Sequence, residues 1–259
     1  MEVIEAIKKG FGIATKNVAL VLVLFGFNLI WNLASIPLAR PGAAATPQIT
    51  ASVLVFSILF ILISIFVQGG SLGIVKDYIK EGKAKLGSFV SYGLKYYLRL
   101  LGLGAVIVLI IGIVALIAAL IVAATTPLNN TVVTVIATII AIIIGAIGLY
   151  YILLLIMSPY SLICEELGII ESMKKSIKVV RKAVGKVLLL LVLMILISLG
   201  IGFLLGFITG LATVAIPAGA GQVLIGVINS IFNGYLGIVM MAGFMVFYLG
   251  LAGKEKASA

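Results

Sequence analysis

The sequence holds no histidine and a single cysteine, Cys164. One thiol cannot form a disulfide within the chain, and a metal site of the His/Cys type is excluded on counting alone. The same absence removes the usual Ser–His pair from a chain otherwise rich in serine. Charge is sparse as well, at 10% of 259 residues. The acids are Glu2, Glu5, Asp77, Glu81, Glu165, Glu166, Glu171 and Glu255, and all fall outside the long apolar runs. No such run carries a carboxylate of the kind that couples protons or cations to transport. Glu165 and Glu166 are adjacent, so on a helix they do not share a face, which argues against a general acid–base pair. The expectation is a protein that is not an enzyme and takes no cofactor or metal.

What is present is apolar. Hydrophobic residues make up 63% of the chain, more than a soluble domain can cover with polar surface, so the sequence reads as an integral membrane protein. The formal charge of +10 does not point to nucleic acid, because no extended basic aqueous surface is there to follow a phosphate backbone.

Six runs are long enough to cross a hydrocarbon core about 30 Å thick. They are Asn17–Leu38, Ala51–Val75, Leu100–Ala124, Val132–Met157, Val187–Ala212 and Gln222–Gly250. The first resembles a signal peptide at its start but is too long and is interrupted by Asn28 and Asn32, so it is expected to stay as a helix. Ala39–Thr50, with Pro41, Gly42 and Pro47, reads as a loop, and Thr125–Thr131 and Thr213–Gly221 as tight turns around Pro127 and Pro217. The predicted fold class is all-α: a polytopic membrane protein of six transmembrane helices in three hairpins, forming one transmembrane domain over residues 1–259.

Seventeen of the eighteen cations lie between these runs on one side, and Arg40 alone lies on the other. The positive-inside rule makes the lysine-rich side cytoplasmic, so both termini face the cytoplasm of a cell membrane. Asn129-Asn130-Thr131 on the other side matches a glycosylation sequon, a pattern that chance supplies often.

The cations sit on amphipathic segments. From Ile169 to Val184, Ile169, Met173, Ile177, Val180 and Val184 form one helical stripe, and Lys174, Lys175, Lys178, Arg181 and Lys182 occupy the other side. Glu171 stands in the first turn, where the helix dipole favours an anion. Pro159 ends the apolar run before it. Met1–Lys16 is similar, with Val3, Ile7, Phe11 and Ala14 opposite Glu5, Lys8, Lys9 and Lys16. Lys76–Arg99 is basic too and carries Tyr92, Tyr96 and Tyr97, residues suited to a membrane interface. Basic amphipathic helices beside membrane spans read as interfacial.

These three segments share a layout of basic helix, span, outer turn and span. With Gly10, Gly93 and Ser176 in register, Ile7, Val90 and Met173 coincide, as do Phe11, Leu94 and Ile177, and Lys16, Arg99 and Lys182. The expectation is a threefold parallel repeat over residues 1–75, 76–157 and 158–253.

Glu166-Leu-Gly168, Glu171-Ser172, Ser176, Lys178 and Lys182 before a long apolar segment resemble the loop between the fourth and fifth spans in the membrane domain of bacterial glycerophosphoryl diester phosphodiesterases. Related six-span prokaryotic membrane proteins share it, and Lys16-Asn17 resembles the signature's first copy. Ile177 stands where that family often has Trp, and Ala183 where it often has Asn. The hydrolase domain of those enzymes is not in this sequence. The resemblance implies a fold and a lipid-side location, and no phosphodiesterase activity.

Two site readings follow. The first is binding of anionic lipid, or of an unidentified protein partner, by Lys8, Lys9, Lys16, Lys95, Arg99, Lys174, Lys175, Lys178, Arg181 and Lys182; the same cations also serve simply to orient the chain. The second, an alternative, is a transporter or lipid-translocating protein with a polar cavity near Asn28, Asn32, Asn229 and Asn233, which Gln68 and Gln222 could join. The asparagines stand four apart in pairs on the first and sixth spans, and hydrogen bonding between those helices satisfies them equally well. Two small-residue stripes, Gly202/Gly206/Gly210 and Gly226/Ser230/Gly234, read as close-packing faces within or between chains.

Overall fold

A computed structural model of the chain describes residues 2–36, 47–125, 127, 130–214 and 218–257. Arg40, Asn129, Pro217, most of the predicted loop after the first span and the side chains of Lys254 and Lys256 lie outside the described residues or side chains. The described residues are helical, without strands. The helices are α1 (Val3–Lys16), α2 (Val18–Ser35), α3 (Pro47–Glu81), α4 (Phe89–Thr125), α5 (Thr131–Leu155), α6 (Ser158–Cys164), α7 (Ile169–Arg181), α8 (Val184–Val214) and α9 (Ala218–Ala257). Six stretches are long and apolar enough to cross a membrane: Val18–Ser35, Thr50–Glu81, Leu86–Thr125, Thr131–Cys164, Val184–Leu211 and Gly219–Gly253. The chain is thus a multi-pass helical membrane protein.

Several boundaries differ from the sequence reading. Pro47 begins α3 rather than sitting in a loop, a place where its missing N–H is no loss. Phe89–Arg99 is not a helix of its own but the first turns of α4, which runs unbroken into the third span. Nothing between Arg99 and Leu100 interrupts it, whereas Asn17 separates α1 from α2. The Asn17 backbone N–H bonds the Ile13 and Ala14 carbonyls, its side-chain amide donates to Ile13 O at 2.8 Å, and its own carbonyl accepts from Leu20 and Val21. Pro159 lies in the first turn of the short α6, so α5 stops earlier, at Leu155.

The chain divides into two compact units. The first joins residues 1–97 to 185–259. Its centre is α9, whose residues 242–248 are all buried. The apolar face of α1 packs there: a Cβ at Gly10 would lie 2.6 Å from the Val239 carbonyl oxygen, so only glycine allows that approach. α2 packs higher on α9, with Gly234 against the Phe25 backbone. The stripe Gly226/Ser230/Gly234 is therefore a close-packing face against α2. At the stripe Gly202/Gly206/Gly210 on α8, nothing among the described residues lies within 4 Å of a Cβ built at any of the three.

The second unit spans residues 98–184. Gly148 of α5 meets Val114 of α4, and Ile169 of α7 meets Gly102 of α4. The buried face of α7 is Ser172, Ser176, Val179 and Val180, which shares Val180 with the apolar stripe read from sequence but is rotated from it toward the serines. Ile169, Met173 and Ile177 are only half-buried. The serines go inside because they are small and hydrogen-bonded: Ser176 Oγ donates to Leu154 O at 2.6 Å and Ser172 Oγ to Ile169 O at 2.7 Å, while Ser161 Oγ of α6 donates to the Ser172 carbonyl at 2.9 Å.

Candidate functional site: a lysine groove and an amide cavity

The charged face of α1 is exposed, including Glu5, Lys8, Lys9 and Lys16. It forms one wall of a groove of about 600 Å³ whose other walls are the end of α3, with Tyr78 and Ile79, and α9, with Val246 and Leu249. Lys8, Lys9 and Lys16 line it together with Glu5, Gly12 and Ile13. Lys8, Gly12 and Lys16 follow at intervals of four along one side of α1, so they stand in a row. Gly12 leaves the middle of that row open, with nothing within 4 Å of where a Cβ would be. Lys9 pairs with Glu5 at 2.8 Å, one turn away. The hydrogen bond and charge of Lys9 hold the Glu5 carboxyl below its ordinary pKa. The groove thus presents two outer lysines, a third tied to a carboxylate, and an apolar floor.

The remaining predicted cations are placed otherwise. Lys95 lies 5.3 Å from the centroid of the buried Tyr96 ring, a cation–π distance. Tyr96 is wholly buried, not an interface side chain, and receives Lys76 Nζ at 3.4 Å on its hydroxyl. Tyr92 donates to Asp77 at 2.6 Å. These contacts tie the first turns of α4 to the end of α3, where Lys76 and Asp77 are themselves buried. In the second unit Arg99 donates to the Glu166 carbonyl at 3.2 Å, and Lys175 stands 3.8 Å from Glu165. Glu165 thus serves as a partner for a lysine. Glu171 accepts from the Gly168 N–H at 3.2 Å and starts α7. Lys174, Lys178, Arg181 and Lys182 are exposed along α7.

The four asparagines separate. Asn32 donates to Ser230 Oγ at 2.8 Å, and Ser230 Oγ donates in turn to Gly226 O at 2.6 Å, which links α2 to α9. Asn229 is exposed. Asn28, half-buried, and Asn233, exposed like Asn229, line a second, open cavity of about 310 Å³ with Ser64 and the exposed Gln68 of α3. The sequence missed Ser64, because a lone serine in an apolar helix most often bonds back to its own helix, as Ser64 does to Ile61 O. Gly12 was missed for a similar reason: a glycine in a short helix carries no signal that its missing side chain opens a groove.

Among the described residues no group of three or more Cys, Asp and Glu side chains is placed to hold a metal ion. The family model described as a domain of unknown function (DUF7847) matches residues 1–251, and the chain belongs to that family. No curated protein and no solved structure matches the chain.

Proposed function

We propose that this membrane protein is not an enzyme but a binder of anionic lipid, and that its first binding site is the groove of α1, α3 and α9. The observation that carries the reading is the row Lys8–Gly12–Lys16, facing apolar Val246 and Leu249 across about 600 Å³. A phosphate-bearing head group needs cations with room between them, and its acyl stems need apolar wall close by. The imbalance of lysine and arginine between the two sides supports a cytoplasmic face for this groove and for both termini, in a cell membrane. The α7 cations Lys174, Lys178, Arg181 and Lys182 act as a second, weaker surface for the same lipids.

The resemblance of residues 166–182 to a phosphodiesterase membrane domain accords with a lipid-side role only. The threefold repeat draws support from Gly10, Gly93 and Ser176. Each of these small residues sits at a tight contact: Gly10 on Val239, Gly93 on Phe66 and Ser176 on Leu154.

The test is lipid retention by the full chain in mixed phosphatidylglycerol and phosphatidylcholine nanodiscs, read by native mass spectrometry. Each cation contributes roughly 1 kcal/mol near an anionic surface, so Lys8→Gln/Lys9→Gln/Lys16→Gln is expected to weaken phosphatidylglycerol retention by about a hundredfold. Undiminished retention in that variant removes the groove. Loss on neutralising the α7 cations instead moves the site to α7. No loss in either variant turns the cations toward a protein partner.

A further inference from the structure

The lysine groove makes no use of the polar side chains deeper in α2, α3 and α9. The cavity of about 310 Å³ between these helices is lined by Asn28, Ser64, Gln68 and Asn233, with Phe27 and Gly237 among its apolar walls. All four polar residues stand in helices apolar enough to cross a membrane. Hydrogen-bond accounting sets Gln68 and Asn233 apart from Asn32, which donates to Ser230 of the neighbouring helix. Asn28 donates to Leu24 O at 2.8 Å and Ser64 donates to Ile61 O at 2.8 Å, which leaves their oxygens able to accept. Gln68 and Asn233 are exposed along the open side of the cavity, and their amides make no hydrogen bond among the described residues. A carboxamide without a partner at membrane depth is expensive, and lipid tails cannot supply one. Residues 69–77 of α3 and 242–248 of α9 are buried. This packed layer separates the cavity from the lysine groove, so the two are distinct sites.

We propose that this cavity binds an uncharged, hydroxyl-rich group of the sugar class. No charged side chain lines it, which disfavours an ion. Its carboxamides each donate and accept from one planar group, matching the donor–acceptor character of neighbouring hydroxyls. The Phe27 ring adds an apolar face for the carbon side of such a ring. The volume is at the lower end for small-molecule sites, enough for one ring and not for a whole lipid. The group can come from a glycolipid head or from a free sugar.

A reporter is built in. Trp31, the one tryptophan of the chain, lies edge-on to Phe27 with centroids 6.3 Å apart. The full chain in phosphatidylcholine nanodiscs is titrated with monoglucosyl diacylglycerol, with plain diacylglycerol, and with free glucose, reading Trp31 fluorescence. A saturable response to the glucolipid but not to diacylglycerol assigns the site to a lipid head. A response to free glucose assigns it to a solute. In either case Gln68→Leu/Asn233→Leu is expected to weaken binding by about tenfold or more, and Lys8→Gln/Lys9→Gln/Lys16→Gln to leave it unchanged. Ser64→Leu fills the cavity without touching the amides and carries the test if the double variant does not fold. No response to either sugar-bearing probe, an equal response to diacylglycerol, or binding unaffected by Ser64→Leu overturns the proposal.

Discussion

Two glycines on α1, two residues apart, have opposite jobs. Gly10 faces the α9 backbone, with Val239 O 2.6 Å and Gly243 N 3.1 Å from where a Cβ would stand. Gly12 faces the open groove. Gly10→Ala has no flexible atom to push aside, and overpacking of this kind costs about 1–3 kcal/mol. Gly12→Ala meets nothing and removes a helix-interior glycine, worth up to about 1 kcal/mol in its favour. Thermal melts in detergent should therefore shift downward for Gly10→Ala and stay level or rise for Gly12→Ala; a fall of equal size in both would mean α1 does not pack on α9 as described. A bulkier Gly12→Leu should keep the melt and lose phosphatidylglycerol retention. Glu5 adds a pH sign to the same site. Its carboxyl is held below the ordinary value by Lys9, so the pair is intact at neutral pH and breaks as pH falls through that lowered value. Protonation of Glu5 frees Lys9, and the groove gains a positive charge. Retention of phosphatidylglycerol should then rise as pH falls through the lowered Glu5 value in the native chain and not in Glu5→Gln.

Helix packing separates the two small-residue stripes, which look alike in sequence. Gly226, Ser230 and Gly234 pack against α2, and the Asn32–Ser230 hydrogen bond locks that seam. Gly202 and Gly206 on α8 have nothing among the described residues within 4 Å of an added Cβ. Gly234→Leu should unfold the seam, since Phe25 backbone atoms lie 2.8 and 3.1 Å from the added Cβ, whereas Gly206→Leu should leave the melt unchanged. A large loss for Gly206→Leu would show that α8 packs against a second copy in the membrane. Periodicity could not tell these stripes apart, because it reports which residues share a face and not what covers the face. α7 failed for the complementary reason. Its apolar stripe was legible, and Val180 of it is buried, yet Ser172 and Ser176 share the buried face in place of Met173 and Ile177, because hydrogen bonds to backbone carbonyls let a small hydroxyl pack inside. The unbroken α4 shows a third limit. Lys95 and Arg99 looked like the charged side of an interfacial helix, but a helix continues through charges when it has a tyrosine ring and a carbonyl to place them against.

At the scale of the molecule, the six apolar runs were legible because length and hydropathy alone decide whether a segment can cross a membrane. The sites were legible only in part. Lys8, Lys9 and Lys16 were recognisable as one charged face of α1, but Tyr78, Val246 and Leu249 come from far along the chain and have no signature that ties them to it. Asn28 and Asn233 were recognisable as polar residues at depth, and nothing in the sequence distinguished them from Asn32, which is consumed by Ser230. What the lysine groove can bind depends finally on which side of the membrane it faces, and the charge imbalance makes a definite prediction there. Cys164 is buried, 8% exposed, so a Cys164→Ser background gives a chain with no reactive thiol. Single cysteines are then placed at two exposed positions that flank the span formed by α5: Thr131→Cys at its start and Lys182→Cys just after α7. A membrane-impermeant maleimide added to intact cells should label Thr131→Cys and leave Lys182→Cys unmodified, and inverted vesicles should reverse the result. Labelling of Lys182→Cys from outside would place the lysines on the external face, away from the anionic cytoplasmic leaflet, and the proposed lipid site would lose its ligand. Labelling of both from one side would mean that the segment between them does not cross, and the six-span topology would fall with it.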